Sequence, residues 1–330
     1  MSFLAYRVVE ADKKFDASWV EQSDADLPEG DVLIEVSYSS VNYKDALSAS
    51  GNRGVTKEYP HTPGIDAAGV VLESSDSAFA KGDEVVVFGY DLGMNTSGGY
   101  GQHIRVPAAW VLKKPAGISA AEAMAWGTAG FTAALSVQKL ERAGISPDRG
   151  PVLVTGATGG VGSVAVSLLS KLGYSVVALS GKADKNDWLE SLGAKRIVSR
   201  DNVLSLKGKA MAKPVFQAAV DTVGGDMVSA ILPQLMPEGA VTTCGMIAGV
   251  KVEASVFPFI LRGVSLLGVD SVEIPRADKQ AVLDKAAADW KLDSLESMTT
   301  EIGRKELPDV LARIIKGEGV GRYRVNLNKD

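Results

Sequence analysis

The chain has 330 residues, enough for about two domains, and its 46% hydrophobic and 23% charged residues are those of an ordinary globular protein. A formal net charge of -5 argues against a nucleic-acid or anionic-membrane partner, because both reward a basic face. One cysteine, Cys244, and two histidines, His61 and His103, leave no internal disulfide and no Cys/His cluster for zinc, and no loop of regularly spaced Asp and Asn suggests a hard cation.

Met1 to Val20 mixes charged with apolar residues, so neither a signal peptide nor a membrane anchor is expected there. No later run approaches the ~20 apolar residues of a spanning helix, and a cytoplasmic protein is expected. Residues 1 to about 122 read as a β-rich domain. Val32 to Ser39, Ala67 to Leu72 and Glu84 to Phe88 are short β-branched runs, separated by turn signals such as Pro28-Glu29-Gly30 and Lys81-Gly82-Asp83. No helical period of any length is expected before Ser119, where Ser119 as N-cap and Glu122 as its reciprocal partner open a helix.

From Ala120 to about Val269 helical and strand periods alternate, the pattern of a doubly wound α/β sheet. Val152 to Leu169, V-L-V-T-G-A-T-G-G-V-G-S-V-A-V-S-L-L, is the stretch around which this half is organised: a short strand, a glycine turn, then a helix. Strands follow at Ser175 to Ser180, Arg196 to Ser199, Ala218 to Asp221, Ala240 to Thr243 and Ser265 to Val269, with helices at Lys185 to Leu192 and Met227 to Leu235. Short, apolar, non-alternating strands suit a parallel sheet buried on both faces. Asp278 to Trp290 and Pro308 to Lys316 read as helices, and Val320 to Leu327 as a last strand. Domain boundaries are placed at 1–122 with 270–330, and at 123–269; no repeat or low-complexity linker interrupts them.

A glycine turn alone marks any tight βα connection. Here Ala157 replaces the first glycine of G-x-G-x-x-G, while Gly159 and Gly162 keep the last two positions. Gly159 is assigned to close approach of the backbone to a pyrophosphate and Gly162 to helix packing, with Thr158, Gly160 and Val161 completing the cradle. The next strand ends Ser180-Gly181-Lys182. A carboxylate would be expected there to accept from a ribose 2′-hydroxyl; a hydroxyl and an ammonium instead suit a 2′-phosphate, so NADPH is favoured over NADH. Arg200, after the third strand, is a second candidate for that phosphate, with a plain surface arginine as its alternative.

These residues, with Ser40-Val41-Asn42-Tyr43-Lys44-Asp45, Pro63-Gly64-Ile65-Asp66-Ala67-Ala68-Gly69, Gly127-Thr128-Ala129-Gly130-Phe131-Thr132-Ala133, Asp221-Thr222-Val223-Gly224, Pro258-Phe259-Ile260-Leu261-Arg262 and Gly268-Val269-Asp270-Ser271, stand in an order that resembles the medium-chain dehydrogenase/reductase superfamily. Within it the chain resembles the zinc-free quinone-oxidoreductase-like branch, and most closely the acrylyl-CoA reductase group. The resemblance implies a GroES-like catalytic domain built from both chain ends, a Rossmann domain between them, NADPH, and a homodimer through the last Rossmann strands. Zinc alcohol dehydrogenases of the superfamily carry Gly-His-Glu where this chain has Gly64-Ile65-Asp66, and isoleucine cannot ligate a metal. Alcohol oxidation then loses its Lewis acid, whereas hydride delivery to the β-carbon of a short 2-enoyl thioester such as acrylyl-CoA, with a proton then reaching the α-carbon of the enolate to give propionyl-CoA, remains feasible.

Tyr43 is the candidate catalytic residue for the cleft; because a tyrosine phenol titrates near ~10 in water, cofactor contact is favoured over proton donation. Asn42 can orient substrate or ribose, or simply form a turn. Met246, next to Cys244 and Gly245 at a strand end, is expected to face the nicotinamide. Arg322 is a candidate for a cofactor phosphate, although a surface salt bridge is its more expected fate. His61 reads as structural, Cys244 as a small buried residue, and Trp126 and the other tryptophans as core. Two rivals stand beside the enoyl-thioester reading: NADPH-dependent reduction of small quinones or enones, and a non-catalytic NADPH-binding protein. Arg53, Lys57 and Arg105 are too scattered in sequence to prove a basic track for CoA phosphates.

Overall fold

A computed structural model describes residues 1–330. The chain opens with a long hairpin, β1 (Ser2–Ala11) and β2 (Lys14–Ser23), then β3 (Val32–Ser40), a short helix α1 (Tyr43–Ala49), β4 (Asp66–Ser74), β5 (Glu84–Phe88), β6 (His103–Val106) and β7 (Val111–Lys113). Helix α2 (Ala120–Arg142) follows, broken at Gly127, whose φ of 51° and ψ of -167° are not helical. Then come β8 (Pro151–Val154), α3 (Gly160–Lys171), β9 (Ser175–Leu179), α4 (Asn186–Ser191), β10 (Ala194–Val198), α5 (Arg200–Leu204), β11 (Phe216–Asp221), α6 (Asp226–Ile231) and β12 (Leu235–Thr243). The last part comprises α7 (Phe257–Arg262), β13 (Ser265–Gly268), α8 (Arg276–Ala287), β14 (Thr299–Ile302), α9 (Leu307–Ile315) and β15 (Arg322–Asn326). No helix is long and apolar enough to cross a membrane.

The chain divides into two compact units, Met1–Thr128 with Val272–Asp330, and Ala129–Ser271. The divisions fall a few residues beyond those expected at 122/123 and 269/270, and the first comes just after the break in α2. In the first unit, β14-β15-β3-β4-β5-β7 form one sheet, with β6 also pairing β3. All contacts in it except β14–β15 are antiparallel. Its core gathers the inward residues of these strands, among them Val32, Ile34, Val36, Val71, Val85 and Val87. Each such side chain removed from water contributes roughly 1.5–3 kcal/mol.

The second unit holds a six-stranded, all-parallel sheet in the order β10-β9-β8-β11-β12-β13. This is the doubly wound arrangement, with the order reversing between β8 and β11; the fold class read from the alternating periods is the one observed. Val152, Leu153 and Val154 are fully buried, as are Val176 and Ala178, because helices cover both faces of such a sheet.

The structure departs from the sequence reading at short elements. Helix α1 lies well before Ser119, where no helical period was expected: seven residues are two turns, too few to show a period. Hairpin β1–β2 was not anticipated either, since no residue of β2 is fully buried and its alternation is blurred. The capping box at Ser119 is present, with Ser119 N–H donating to Glu122 Oε2 at 2.8 Å and Glu122 N–H to Ser119 Oγ at 3.1 Å.

Candidate functional site

The Rossmann unit carries the glycine turn between β8 and α3. Its shape comes from close packing. Gly156 has φ +55°, and a Cβ on it would lie 2.4 Å from Thr222 Oγ1. On Gly162 a Cβ would stand 2.2 Å from the Gly156 carbonyl oxygen and 2.8 Å from Ala157 Cα, so α3 rests directly on the turn only because that residue is glycine. Gly159 differs: a Cβ there would meet only the Gly156 oxygen, at 3.3 Å. Its N–H turns back to the Gly156 carbonyl at 2.9 Å, and that of Ala157 to Leu179 at 3.2 Å. The N–H groups of Gly160, Val161 and Gly162, in the first turn of α3, have no carbonyl four residues earlier within the helix. They open an anion-binding helix N-terminus, beside the buried Thr158.

Basic residues gather at the ends of the next two strands. Ser180 follows β9, and its Oγ accepts the Lys182 N–H at 3.0 Å, which folds Ser180-Gly181-Lys182 into a tight turn. Arg200 is the first residue of α5, capped by Ser199, whose Oγ accepts from the Asn202 N–H. The Arg200 guanidinium covers Gly181: a Cβ on Gly181 would lie 3.2 Å from Nε and 3.3 Å from Cζ. Ser180, Gly181, Lys182 and Arg200, separated by up to twenty positions in sequence, thus stand together at the carboxyl ends of β9 and β10.

Beneath the turn, Asp221 closes β11 and is fully buried. Thr155 Oγ1 donates to its Oδ1 at 2.8 Å and Val223 N–H to the same atom at 3.3 Å; Gly224 N–H and Thr243 Oγ1 reach Oδ2 at 2.8 and 3.0 Å. Burial pushes this carboxyl above the ordinary range, and each of the four donors opposes that. Cys244 follows β12, its Sγ 3.4 Å from the Asp221 carbonyl; burial, then the Asp221 charge, pushes the thiol up to about 12. Met246 is 56% exposed in the turn beyond it. Sequence reading passed over Asp221 as a site residue, because one Asp ending a strand carries no spacing signal.

In the GroES-like unit, Tyr43 is the first residue of α1 and half-buried. The residues that hold this helix end are Asn42, Asp45 and Asp66. Asp66, fully buried at the start of β4, accepts on Oδ2 from Ser40 Oγ at 2.5 Å, Asn42 Nδ2 at 2.9 Å and Thr128 N–H at 2.8 Å, and on Oδ1 from Thr128 Oγ1 at 2.5 Å. Asp45 accepts from the Asn42 and Ile65 N–H groups, both at 2.8 Å. Burial, reinforced by the neighbouring Asp66, pushes its carboxyl up to about 7. Tyr100 donates to the Ser40 carbonyl at 3.1 Å; burial and the two carboxylates hold its phenol well above the ordinary range.

This cluster places one candidate and corrects one expectation. Asn42 precedes α1, and its Nδ2 donates to Ser40 Oγ, Asp45 Oδ2 and Asp66 Oδ2. Arg322 is not on the surface in a salt bridge. It is 2% exposed at the start of β15, with Nε donating to the Ala125 carbonyl at 2.9 Å and Nη1 to Val41 at 3.4 Å. Its Nη2 is buried without a hydrogen-bond partner, beside Gly127, where a Cβ would stand 2.6 Å from it. Burial lowers its pKa and the charges of Asp66 and Asp45 raise it. Sequence distance hid this: Arg322 is far along the chain from both carboxylates.

His61 is buried, its pKa lowered by that burial, with backbone bonds to Val8 on both sides. Trp126 and Trp290 are core residues, whereas Trp19, Trp110 and Trp188 are only half-buried. Trp19 donates to the Arg304 carbonyl and Trp110 stacks on Tyr90, polar and stacking uses that suit partial exposure. No group of three or more His, Cys, Asp or Glu side chains is clustered for a metal; Ile65, between Gly64 and Asp66, is 3% exposed.

Comparison with known proteins agrees with both units. Residues 28–116 match the family model described as alcohol dehydrogenase GroES-like domain, and residues 160–288 the model described as zinc-binding dehydrogenase. The chain is 44% identical over 326 residues to "Putative quinone oxidoreductase YhfP" of Bacillus subtilis, covering 98% of this chain and 99% of that protein. A crystal structure of B. subtilis yhfP with NAD bound has a TM-score of 0.96 over 99% of this chain and 100% of its own. Acrylyl-CoA reductase AcuI of Ruegeria pomeroyi is 44% identical over 315 residues, 96% of each chain. The yhdH oxidoreductase of Salmonella enterica in complex with NADP is 41% identical, with a TM-score of 0.95 over 99% of this chain and 100% of its own. With identity of this order along nearly its whole length, and isoleucine where the zinc enzymes carry histidine, the chain belongs to the medium-chain dehydrogenase/reductase superfamily, in its zinc-free quinone-oxidoreductase-like branch.

Proposed function

We propose that this protein is an NADPH-dependent reductase of the carbon–carbon double bond of a short 2-enoyl thioester, with acrylyl-CoA, giving propionyl-CoA, as the best representative. The observation that carries the cofactor choice is the Arg200 guanidinium lying over Gly181 beside Ser180 and Lys182. Two cations and a hydroxyl suit a 2′-phosphate, and no carboxylate stands there to accept from a 2′-hydroxyl. The first turn of α3, with Thr158, Gly159, Gly160, Val161 and Gly162, suits the pyrophosphate. The bound dinucleotide supplies the hydride. Tyr43, held at the head of α1 by Asp45 and Asn42, contacts the cofactor, and Met246 borders the nicotinamide.

Substrate class is supported by the 44% identity to acrylyl-CoA reductase AcuI and by the residue set at Gly64-Ile65-Asp66. Ile65 belongs to the core and cannot ligate a metal, and Asp66 is engaged by Ser40, Asn42 and Thr128, so this position is not built to hold a Lewis acid for an alkoxide. Thioester conjugation removes that need, because charge developing on the oxygen is met by N–H or hydroxyl donors. A second reading, quinone or enone reduction, is favoured by the equal identity to YhfP. NADPH oxidation with acrylyl-CoA beside a quinone panel decides between them: background rates on the thioester with fast quinone turnover reverse the ranking, and tight NADPH binding with no turnover on either makes this a non-catalytic binder.

The reading includes a homodimer in the cytoplasm. Strand β13 ends the parallel sheet with only β12 beside it, and the chain before it exposes Ile247, Val256, Ile260 and Leu261. An unpaired edge next to apolar surface favours a second copy. Sedimentation should give a dimer that Leu266→Lys on β13 dissociates; a monomeric wild type rejects it.

A further inference from the structure

We propose that Asp221 is a buried anion that biases the dinucleotide site toward the oxidised cofactor, whose nicotinamide ring is cationic, while tying together the three strand ends on which that half of the site is built. The inference rests on the dinucleotide reading above and adds a role for a residue outside the cradle.

Its geometry is that of a hub. The carboxylate ends β11, the first strand beyond the point where the sheet order reverses. In a doubly wound fold the dinucleotide crosses at that point, outside the carboxyl ends of the strands. Ser180, Lys182 and Arg200 mark the adenosine end over β9 and β10, which leaves the other nucleotide toward β11 and β12. Asp221 receives Thr155 from the end of β8 and Thr243 from the end of β12. Thr155 in turn accepts the Thr222 N–H on Oγ1 at 2.9 Å and the Thr222 hydroxyl on its carbonyl at 2.8 Å. The Cys244 N–H returns to the Asp221 carbonyl at 3.1 Å. Packing leaves no slack, since a Cβ on Gly245 would lie 2.0 Å from the Thr222 oxygen.

Tying strand ends does not require a charge. Four uncharged donors meet the carboxylate, and none of them is a lysine or arginine. An amide or a hydroxyl would serve the two threonines without the cost of desolvating an anion. Each oxygen also takes one backbone N–H, a donor that cannot reverse, so the donors favour the ionised form against the burial that opposes it. Such a charge lowers the free energy of a cationic ring nearby and does nothing comparable for a neutral one. Its effect falls on the difference between NADP⁺ and NADPH, whereas a purely structural tie affects both alike.

The test is the ratio of dissociation constants for NADP⁺ and NADPH, measured by fluorescence titration on the intact protein. Asp221→Asn is expected to shift that ratio toward NADPH by on the order of tenfold, the scale of one unit charge several ångströms away in a partly screened interior. Thr243→Val, which removes one tie and keeps the charge, should weaken both ligands by a similar factor. Asp221→Glu should keep the wild-type ratio even where both affinities fall. If the Asn variant does not fold, Asp221→Ser, whose hydroxyl serves the threonines without a charge, carries the same expectation. A ratio unchanged in the neutral variants overturns the proposal. Failure of the wild type to bind either dinucleotide is a different result and overturns the cofactor reading itself.

Discussion

The cofactor assignment stands or falls on the pair of cations at the ends of β9 and β10. Two surface charges about ~4 Å apart attract by ~1 kcal/mol in water-like surroundings. A 2′-phosphate carries about -1.5 to -2 at neutral pH, and salt removes part of the gain at an exposed position. Each of Lys182 and Arg200 should therefore contribute ~1–2 kcal/mol to NADPH, or roughly tenfold in Kd, and little to NADH. Lys182→Ala with Arg200→Ala should then weaken NADPH about a hundredfold and NADH by less than about threefold. Adding Ser180→Asp places a carboxylate where the 2′-phosphate would sit and should invert the preference. Fluorescence titration of both dinucleotides at constant ionic strength measures it, and raising salt should shrink the wild-type preference because both cations are screened. Equal losses for the two cofactors would remove the 2′-phosphate from this end of the sheet, a result that the NAD-bound yhfP structure makes worth seeking.

Gly162→Ala puts a methyl group 2.2 Å from the Gly156 oxygen, and should cost about 2–3 kcal/mol as overpacking, with a lower urea midpoint and much weaker NADPH binding; a wild-type midpoint would show that α3 can lift off the turn. Gly127→Ala meets Arg322 Nη2, Ser40 Oγ and Asp66 Oδ2 within 2.8 Å at a backbone φ of +51°, and should give little soluble protein, or a thermal midpoint lowered by several degrees. Asp45 titrates near about 7 folded and ~3.9 unfolded, so between those values the native state holds more protons than the unfolded one. Its contribution to stability is complete below the unfolded value and is lost as pH rises through about 7; denaturant melts from pH 5 to 8 should show this fall, and Asp45→Asn should flatten it. An unaltered slope in that variant would assign the titration elsewhere. Tyr43→Phe should weaken NADPH, and a variant with wild-type affinity and turnover would take Tyr43 out of the site.

The parallel sheet was legible because its central strands β8, β9 and β11 are short, largely apolar runs buried on both faces, and the glycine turn because packing of α3 on Gly156 admits no Cβ. Arg200 was half legible: its place after a strand suggested the adenosine phosphate, but a single arginine on a surface looks the same whether or not it lies over Gly181. Helix α1 was not legible, since Asn42, Tyr43 and Asp45 form a helix start whose stability comes from Asp66 and Ile65, about twenty residues on, and not from a local period.

Two of the buried carboxylates, Asp66 and Asp221, explain why the rest stayed hidden. A hydrophobic core announces itself by repetition, since many residues of one kind must recur at one spacing to bury one face. Asp66 and Asp221 each act once, by accepting four hydrogen bonds from partners on several separate segments. Asp66 gathers the end of β3, the residue before α1 and the break in α2; Asp221 gathers the ends of β8, β11 and β12. Such hubs cost desolvation wherever they occur, so they are retained where backbone must be held in a shape that regular secondary structure does not provide. Both stand where regular structure stops, one at the head of the helix that presents Tyr43 and one below the strand ends of the Rossmann sheet. Removing the charge at either should therefore disturb ligand affinity more than its hydrogen-bond count alone would suggest, and Asp66→Asn, which preserves volume and part of the bonding, should raise the NADPH Kd at unchanged secondary structure by circular dichroism.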